Sequence, residues 1–358
     1  MAVLFPDLTQ ERCLLPFTTR WLRAVAPAIW HLSRPSFRDR FRFSPAVQLV
    51  QRNFSSSSST VPPSKETENQ NAFDYEYDWI DGAESLERYR PGGYHPIVID
   101  DVLHDRYQVV DKLGFGGYST TWLAWDLRLQ KYAAVKVRSA GSPSNEARVL
   151  RVLSSSLGST SPSSSIHSSS EIRGLDSVPT PLDKFKLQGP NGSHPCYTMV
   201  LAQCNLKDAS YSRLFPLDVA RALSAGLTLA VAYVHSQGYI HGDIHLRNVL
   251  AKAAPNINEL SIKQFYQKYG EPETVPITER HGKPLPPNAP KQAVIPLYLG
   301  KYAEDFSVAD THVLLSDFGA ATPASNPKPG KDCHSPLPTR PPEARFEPQK
   351  PLSPAADI

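Results

Sequence analysis

The chain has almost no surplus charge of either sign. Its 38 Lys and Arg stand against 35 Asp and Glu, a net +3 over 358 residues. A general nucleic-acid binder needs a strong basic excess against phosphate, so that class is set aside. Cysteine is scarce as well. Cys13, Cys196, Cys204 and Cys333 are far apart, with no CxxC pair and no His/Cys spacing suited to zinc. They read as reduced thiols, which excludes a disulfide framework and a structural zinc site. No apolar run of about 18 residues is evident, so no membrane span is expected. Proline, at 34 residues, and clustered serine are plentiful, which marks part of the chain as linker or loop. With 40% hydrophobic residues the remainder can bury a core. The length suits one large domain or two small ones.

Lysine is missing from residues 1–60, which carry eight arginines and only Asp7, Glu11 and Asp39 as acids. An Arg- and Ser-rich, acid-poor start has the composition of a mitochondrial transit peptide; a basic N-terminal extension fits it too. Residues 61–105 read as a linker, polar and then aromatic through Tyr75, Tyr77, Trp79 and Ile80. They lead into Arg88-Tyr89-Arg90-Pro91-Gly92-Gly93-Tyr94, expected to pack on the next domain by its aromatics.

From Arg106 the pattern turns strand-like. Tyr107–Val110, Thr120–Trp125 and Tyr132–Val137 are short and rich in β-branched and aromatic residues, which predicts an antiparallel meander. Asn145–Leu157 has helical spacing at Val149, Leu150, Val152, Leu153 and Leu157. The serine-dominated stretch 154–170 reads as a loop. Phe185–Gln188 and Cys196–Leu201 flank Gly189-Pro190-Asn191-Gly192, a hairpin signature. Leu217–Gln237 predicts a long helix ended by Gly238. Residues 253–308, rich in Pro, Lys and Glu, read as an insert with one short helix near Ile262–Tyr269.

Four motifs bear on chemistry. Gly114-Phe115-Gly116-Gly117-Tyr118-Ser119 lies between two predicted strands, where glycines let backbone N–H groups approach phosphate oxygens. A tight hairpin explains it about as well, and a following strand rules out a dinucleotide fingerprint. Ala134-Val135-Lys136-Val137 puts a lysine inside an apolar strand, where it needs a carboxylate partner. Glu146 is the first candidate and Glu171 the fallback. His241-Gly242-Asp243-Ile244-His245-Leu246-Arg247-Asn248 follows the long helix. Asp243 can take or orient a hydroxyl proton, and Asn248 can offer an oxygen to a metal. Ser316-Asp317-Phe318-Gly319 follows an apolar strand, so Asp317 can meet Mg²⁺. Each motif alone also reads as a turn or an outward-facing side chain. Their order along one chain is what argues for a common site.

Together these residues resemble the eukaryotic protein kinases. Leu113-Gly114-Phe115-Gly116-Gly117-Tyr118-Ser119-Thr120-Thr121-Trp122-Leu123-Ala124-Trp125-Asp126, Tyr89-Arg90-Pro91-Gly92-Gly93-Tyr94-His95-Pro96 and Arg340-Pro341-Pro342-Glu343-Ala344-Arg345 are similar to the serine/arginine-rich protein kinases, especially fungal members. The resemblance covers roughly residues 85–358. It implies an α+β, two-lobed fold: an antiparallel N-lobe over 106–204 and a mainly helical, partial C-lobe over 205–358 carrying the insert. It implies ATP under Leu113–Thr121 and against Ala134, phosphates on Lys136 paired with Glu146, Asp243 as base, and Mg²⁺ on Asn248 and Asp317. The implied reaction is γ-phosphoryl transfer to Ser or Thr of a protein, Arg/Ser-rich proteins of mRNA processing included. No direct nucleic-acid partner and no membrane partner are implied. Cytoplasm and nucleus follow from the resemblance, the mitochondrion from the N-terminal arginines.

Three departures stand against this pattern. His245 occupies the place of the usual lysine. The link from Lys136 to Glu146 is short. The chain stops at Ala356-Asp357-Ile358, where a central C-lobe helix is expected, so the C-lobe reads as truncated. The loop 241–248 also resembles that of aminoglycoside and choline kinases, and His245 fits an impaired kinase that only binds nucleotide.

Overall fold

A computed structural model describes residues 76–142, 146–155, 174–211 and 213–358. The arginine-rich start, most of the serine-rich stretch and Glu171 lie outside them. The first body is a six-stranded antiparallel sheet. Its strands are β1 (Val102–Leu103), β2 (Tyr107–Gly116), β3 (Ser119–Asp126), β4 (Lys131–Arg138), β5 (Asp183–Gly189) and β6 (Gly192–Met199), in the order β1-β2-β3-β4-β6-β5. The expected meander is β2-β3-β4, and the expected hairpin is β5-β6, with Gly189 opposite Gly192. Helix α1 (Glu146–Ser155) follows β4 and buries Val149, Leu150 and Leu153. Val152, read as an apolar helix position, is exposed instead.

The second body begins with β7 (Ala202–Asn205), the short α2 (Leu206–Ala209) and the long α3 (Leu217–Ser236). Gly238 follows α3 at φ 74. Then come β8 (Tyr239–Ile240) and β9 (Val249–Lys252). By length and composition α3 could cross a membrane, contrary to the sequence expectation that no such run exists. A buried core helix passes the same test, and α3 is packed on two sides. Ala230, Val231 and Val234 meet Leu150 and Leu153 of α1 together with Phe318, while Val219 and Leu223 meet Val249 and Val313. A fully buried side chain of the size of Phe318 contributes roughly 2–3 kcal/mol, so this packing anchors the loop that carries Asp317.

The insert is folded. It holds α4 (Ile262–Tyr269) and a two-stranded pair, β10 (Thr274–Pro276) with β11 (Gln292–Val294). Ser261 and Gln264 form a capping box at the start of α4, which explains why so polar a segment is helical. Phe265 of α4 is fully buried against Val110, Leu123 and Tyr132 of the sheet, and Tyr266 Oη donates to Val110 O at 2.9 Å. The last elements are β12 (Val313–Leu315), paired with β9, then β13 (Thr322–Pro323), paired with β8, and α5 (Pro342–Phe346).

The linker ahead of the sheet packs by its aromatics, as its sequence suggests. Tyr77, Tyr89 and Tyr94 are buried with Ile277 and Ala293 of the insert, whereas Trp79 faces solvent. Within this layer Lys112 of β2 is sealed from water. Its ammonium binds both oxygens of the buried Glu84, which also accepts from Tyr89 Oη. Lys112 Nζ lies 5.0 Å from the Trp122 ring centre, a cation–π contact. Burial lowers the Lys112 pKa and Glu84 works against that.

Candidate active site

Side chains alternate along β4, so Lys136 and Arg138 share a face while Val135 and Val137 enter the core. Glu146, the first residue of α1 and 1% exposed, sits opposite them. Lys136 Nζ is 2.8 and 2.9 Å from its two oxygens, and Arg138 Nη1 is 2.9 Å from Oε2. The short link therefore does close the ion pair, and Glu146 holds two cations rather than one. Burial by itself would lower the Lys136 pKa, but Glu146, Tyr197 and Asp317 outweigh it and the net shift is upward.

Asn248 and Asp317 are brought together by strand pairing. Leu315 of β12 lies opposite Val249 of β9, so Asn248 and Ser316 fall next in register. Ser316 N donates to Asn248 O at 2.8 Å. One residue on, Asp317 adopts φ 65, a left-handed conformation costly for a residue with a side chain. That turn brings Asp317 Oδ1 to 3.4 Å from Lys136 Nζ, with the side chain 49% exposed. Partial burial raises the Asp317 pKa, Lys136 lowers it, and the net direction is downward. Phe318 turns inward, its ring edge-on to His241 at 4.7 Å.

Asp243 projects from the turn after β8. Asn248 Nδ2 donates to Asp243 O at 2.9 Å and to Oδ2 at 3.3 Å. That engages the Asn248 amide nitrogen and leaves its Oδ1 for a cation. Among the described residues Asp243 Oδ1 is buried without a hydrogen-bond partner, while His245 Nε2 stands 3.6 Å away. The turn is held from behind by Asp357, which accepts from His241 N and Gly242 N at 2.8 Å each and bonds His235 Nε2 at 2.9 Å. Sequence reasoning missed this role, and it missed Arg138.

The glycine-rich segment is the β2–β3 hairpin, with Gly116 opposite Ser119 and Gly117-Tyr118 at its tip. A Cβ at Gly114 or Gly116 would meet nothing within 4 Å, so both lie in open space. Thr121 is paired with Lys136 and shares its face. Thr120 is fully buried and its Oγ1 accepts from Trp122 Nε1 at 2.9 Å, so only its backbone can meet a ligand. Ala134 and Leu113 pack into the cluster that includes Val110 and Leu201. Phe115 and Tyr118 are exposed.

These residues fit a magnesium nucleotide. Among the described residues no group of three His, Cys, Asp or Glu could hold a metal alone. Mg²⁺ needs no such cage, since it takes one or two protein oxygens and completes its shell with phosphates and water. The half-exposed Asp317 carboxylate and the Asn248 oxygen match that demand.

No protein-family model matches the chain. Curated proteins do. It is 34% identical over 168 residues to the serine/threonine-protein kinase spk-1 of Caenorhabditis briggsae, covering 45% of this chain and 14% of that one. It is 33% identical over 175 residues to protein kinase dsk1 of Schizosaccharomyces pombe, covering 47% of this chain and 30% of that one. It is 32% identical over 173 residues to human SRSF protein kinase 3, covering 47% of this chain and 29% of that one. The match thus spans less than a third of the length of each of these relatives. Over these stretches the chain is similar to serine/threonine protein kinases, spk-1, dsk1 and SRSF protein kinase 3 among them.

Proposed function

We propose that the chain binds ATP with Mg²⁺ beneath the β2–β3 hairpin and transfers the γ-phosphoryl group to serine or threonine of a protein substrate. The observation that carries this reading is the direct contact joining Lys136 to Glu146, ten residues on, and to Asp317, 181 residues on. Lys136, kept charged by Glu146, holds the α- and β-phosphates. Hairpin amides cover the phosphates. Asn248 and Asp317 hold Mg²⁺, which when bound neutralises charge on the transferring group. Asp243 orients the attacking hydroxyl and takes its proton through the oxygen that has no partner of its own. The human relative is by name a kinase of SRSF proteins, and Arg/Ser-rich proteins are the substrate class proposed here.

A thermal-shift titration with Mg-ATP tests the reading. At a hundredfold excess over Kd, the melting temperature is expected to rise by about 5–10 °C, and EDTA is expected to remove most of the rise. A flat titration would sink the proposal. Binding with no transfer to an Arg/Ser-rich peptide would mark a nucleotide-binding scaffold, the reading that His245 favours. Transfer to an aminoglycoside or choline would move the chain to the small-molecule kinases.

His245 stands 3.6 Å from Asp243, at the place where an ammonium would neutralise charge on the γ-phosphate. His245→Lys is expected to raise the transfer rate roughly tenfold. Equal transfer rates for the two proteins would show that His245 has no such part.

A further inference from the structure

The Arg88–Tyr94 segment takes no part in the chemistry above, yet it touches both halves of the phosphate-binding apparatus. It forms one tight loop. Gly93 N donates to Arg90 O at 2.7 Å and Tyr94 N to Arg88 O at 2.9 Å. A Cβ on Gly93 would lie 1.9 Å from Arg88 O, so the turn admits only glycine there.

On one side the loop grips the link between β4 and α1. Gly141 N donates to Gly92 O at 2.8 Å and Ala140 N to Gly93 O at 3.1 Å. This is the link that carries the chain from Lys136 to Glu146. The β5–β6 turn steadies the loop, since Gly92 N donates to Asn191 O at 2.8 Å and Asn191 Nδ2 to Tyr94 O at 2.7 Å.

On the other side the loop reaches the hairpin tip. Arg88 Nη1 donates to Gly117 O, and Tyr94 Oη donates to Gly116 O. The guanidinium stands 5.7 Å from the Tyr94 ring centre, so the two donors brace each other. The carbonyls of Gly116 and Gly117 share peptide planes with the N–H groups of Gly117 and Tyr118. In a planar trans peptide, C=O and N–H point in opposite directions. Holding both carbonyls toward the loop therefore aims both amides away from it, as donors for an anion on the hairpin's other face.

We propose, on the reading of the cleft as a nucleotide site, that the Arg88–Tyr94 loop is a clamp that presets the hairpin for nucleotide phosphates, with Arg88 and Tyr94 as positioning residues. Tyr94→Phe keeps the buried ring and removes only the hydroxyl, and Arg88→Ala removes an exposed side chain, so the full chain is expected to fold in both. Calorimetric titrations with Mg-ATP and with adenosine separate phosphate binding from base binding. Each variant is expected to weaken Mg-ATP about fivefold, the size of one hydrogen bond, and to leave adenosine unchanged. Arg88→Lys is expected to recover part of the loss. Hydrogen exchange at the Gly117 and Tyr118 amides of the nucleotide-free protein is expected to quicken in both variants. Wild-type Mg-ATP affinity in both would overturn the clamp. So would parallel losses of ATP and adenosine, which mark general structural support. If the wild-type chain binds no Mg-ATP, the nucleotide reading fails on its own, and unchanged exchange at those amides would overturn the clamp separately.

Discussion

Asp243→Asn is expected to cut phosphoryl transfer by about a thousandfold, the size of a lost general base, while Mg-ATP still binds. The substitution keeps the shape of the side chain and removes its charge. Lys136, Glu146 and Asp317 are untouched by it, so the proposed contacts to phosphates and metal stay in place. What goes is the negative charge at the oxygen that makes no hydrogen bond among the described residues and that is proposed to accept the substrate proton. Radiolabelled transfer to an Arg/Ser-rich peptide gives the rate, and calorimetry gives the affinity. A variant that still phosphorylates at the parent rate would remove Asp243 from the chemistry. One that loses ATP binding as well would make it a structural residue.

The second large effect concerns stability. Glu146→Ala leaves Lys136 and Arg138 without the carboxylate they share. Removing one partner from a buried ion pair costs about 3–5 kcal/mol, because the surviving charge stays desolvated. For a domain of this size that corresponds to a melting temperature roughly 10 °C lower. The pH window follows from the direction of the Lys136 shift. A lysine whose pKa is raised by folding contributes its full stabilisation below the unfolded value and loses it only as pH climbs through the folded one. The parent's advantage over Glu146→Ala is therefore expected to be constant across neutral pH and to shrink only in strong alkali. Urea denaturation at neutral and alkaline pH measures both. An advantage that collapses near neutrality would mean that the pair does not hold Lys136 charged.

Local patterns were the legible part of this chain. The β2–β3 hairpin, Lys136 inside an apolar strand, and the helix at Ile262–Tyr269 all follow from a few neighbouring residues. Contacts made across long separations were not. Asp357 holds a turn 115 and 116 residues away, and no periodicity announces such a pairing. Arg138 carries no sequence signal of its own, since a cation near a strand end ordinarily faces water; its contact with Glu146 is seen only in the fold. The short link from Lys136 to Glu146 stood as a departure from the expected pattern. Yet the seven residues 139–145 can reach over roughly 20 Å when extended, ample for a chain to double back. Thr120 shows the opposite error, a motif residue whose side chain strand alternation sends into the core.

The ammonium of Lys112, enclosed by Glu84, Tyr89 and Trp122, ties the leading segment to the sheet. Removing either charge strands the other in a buried site, whereas a joint replacement by well-packed hydrocarbon is often neutral or better. Positions 84 and 112 are therefore expected to respond to substitution as one unit, with the double change costing less than the sum of the two single ones.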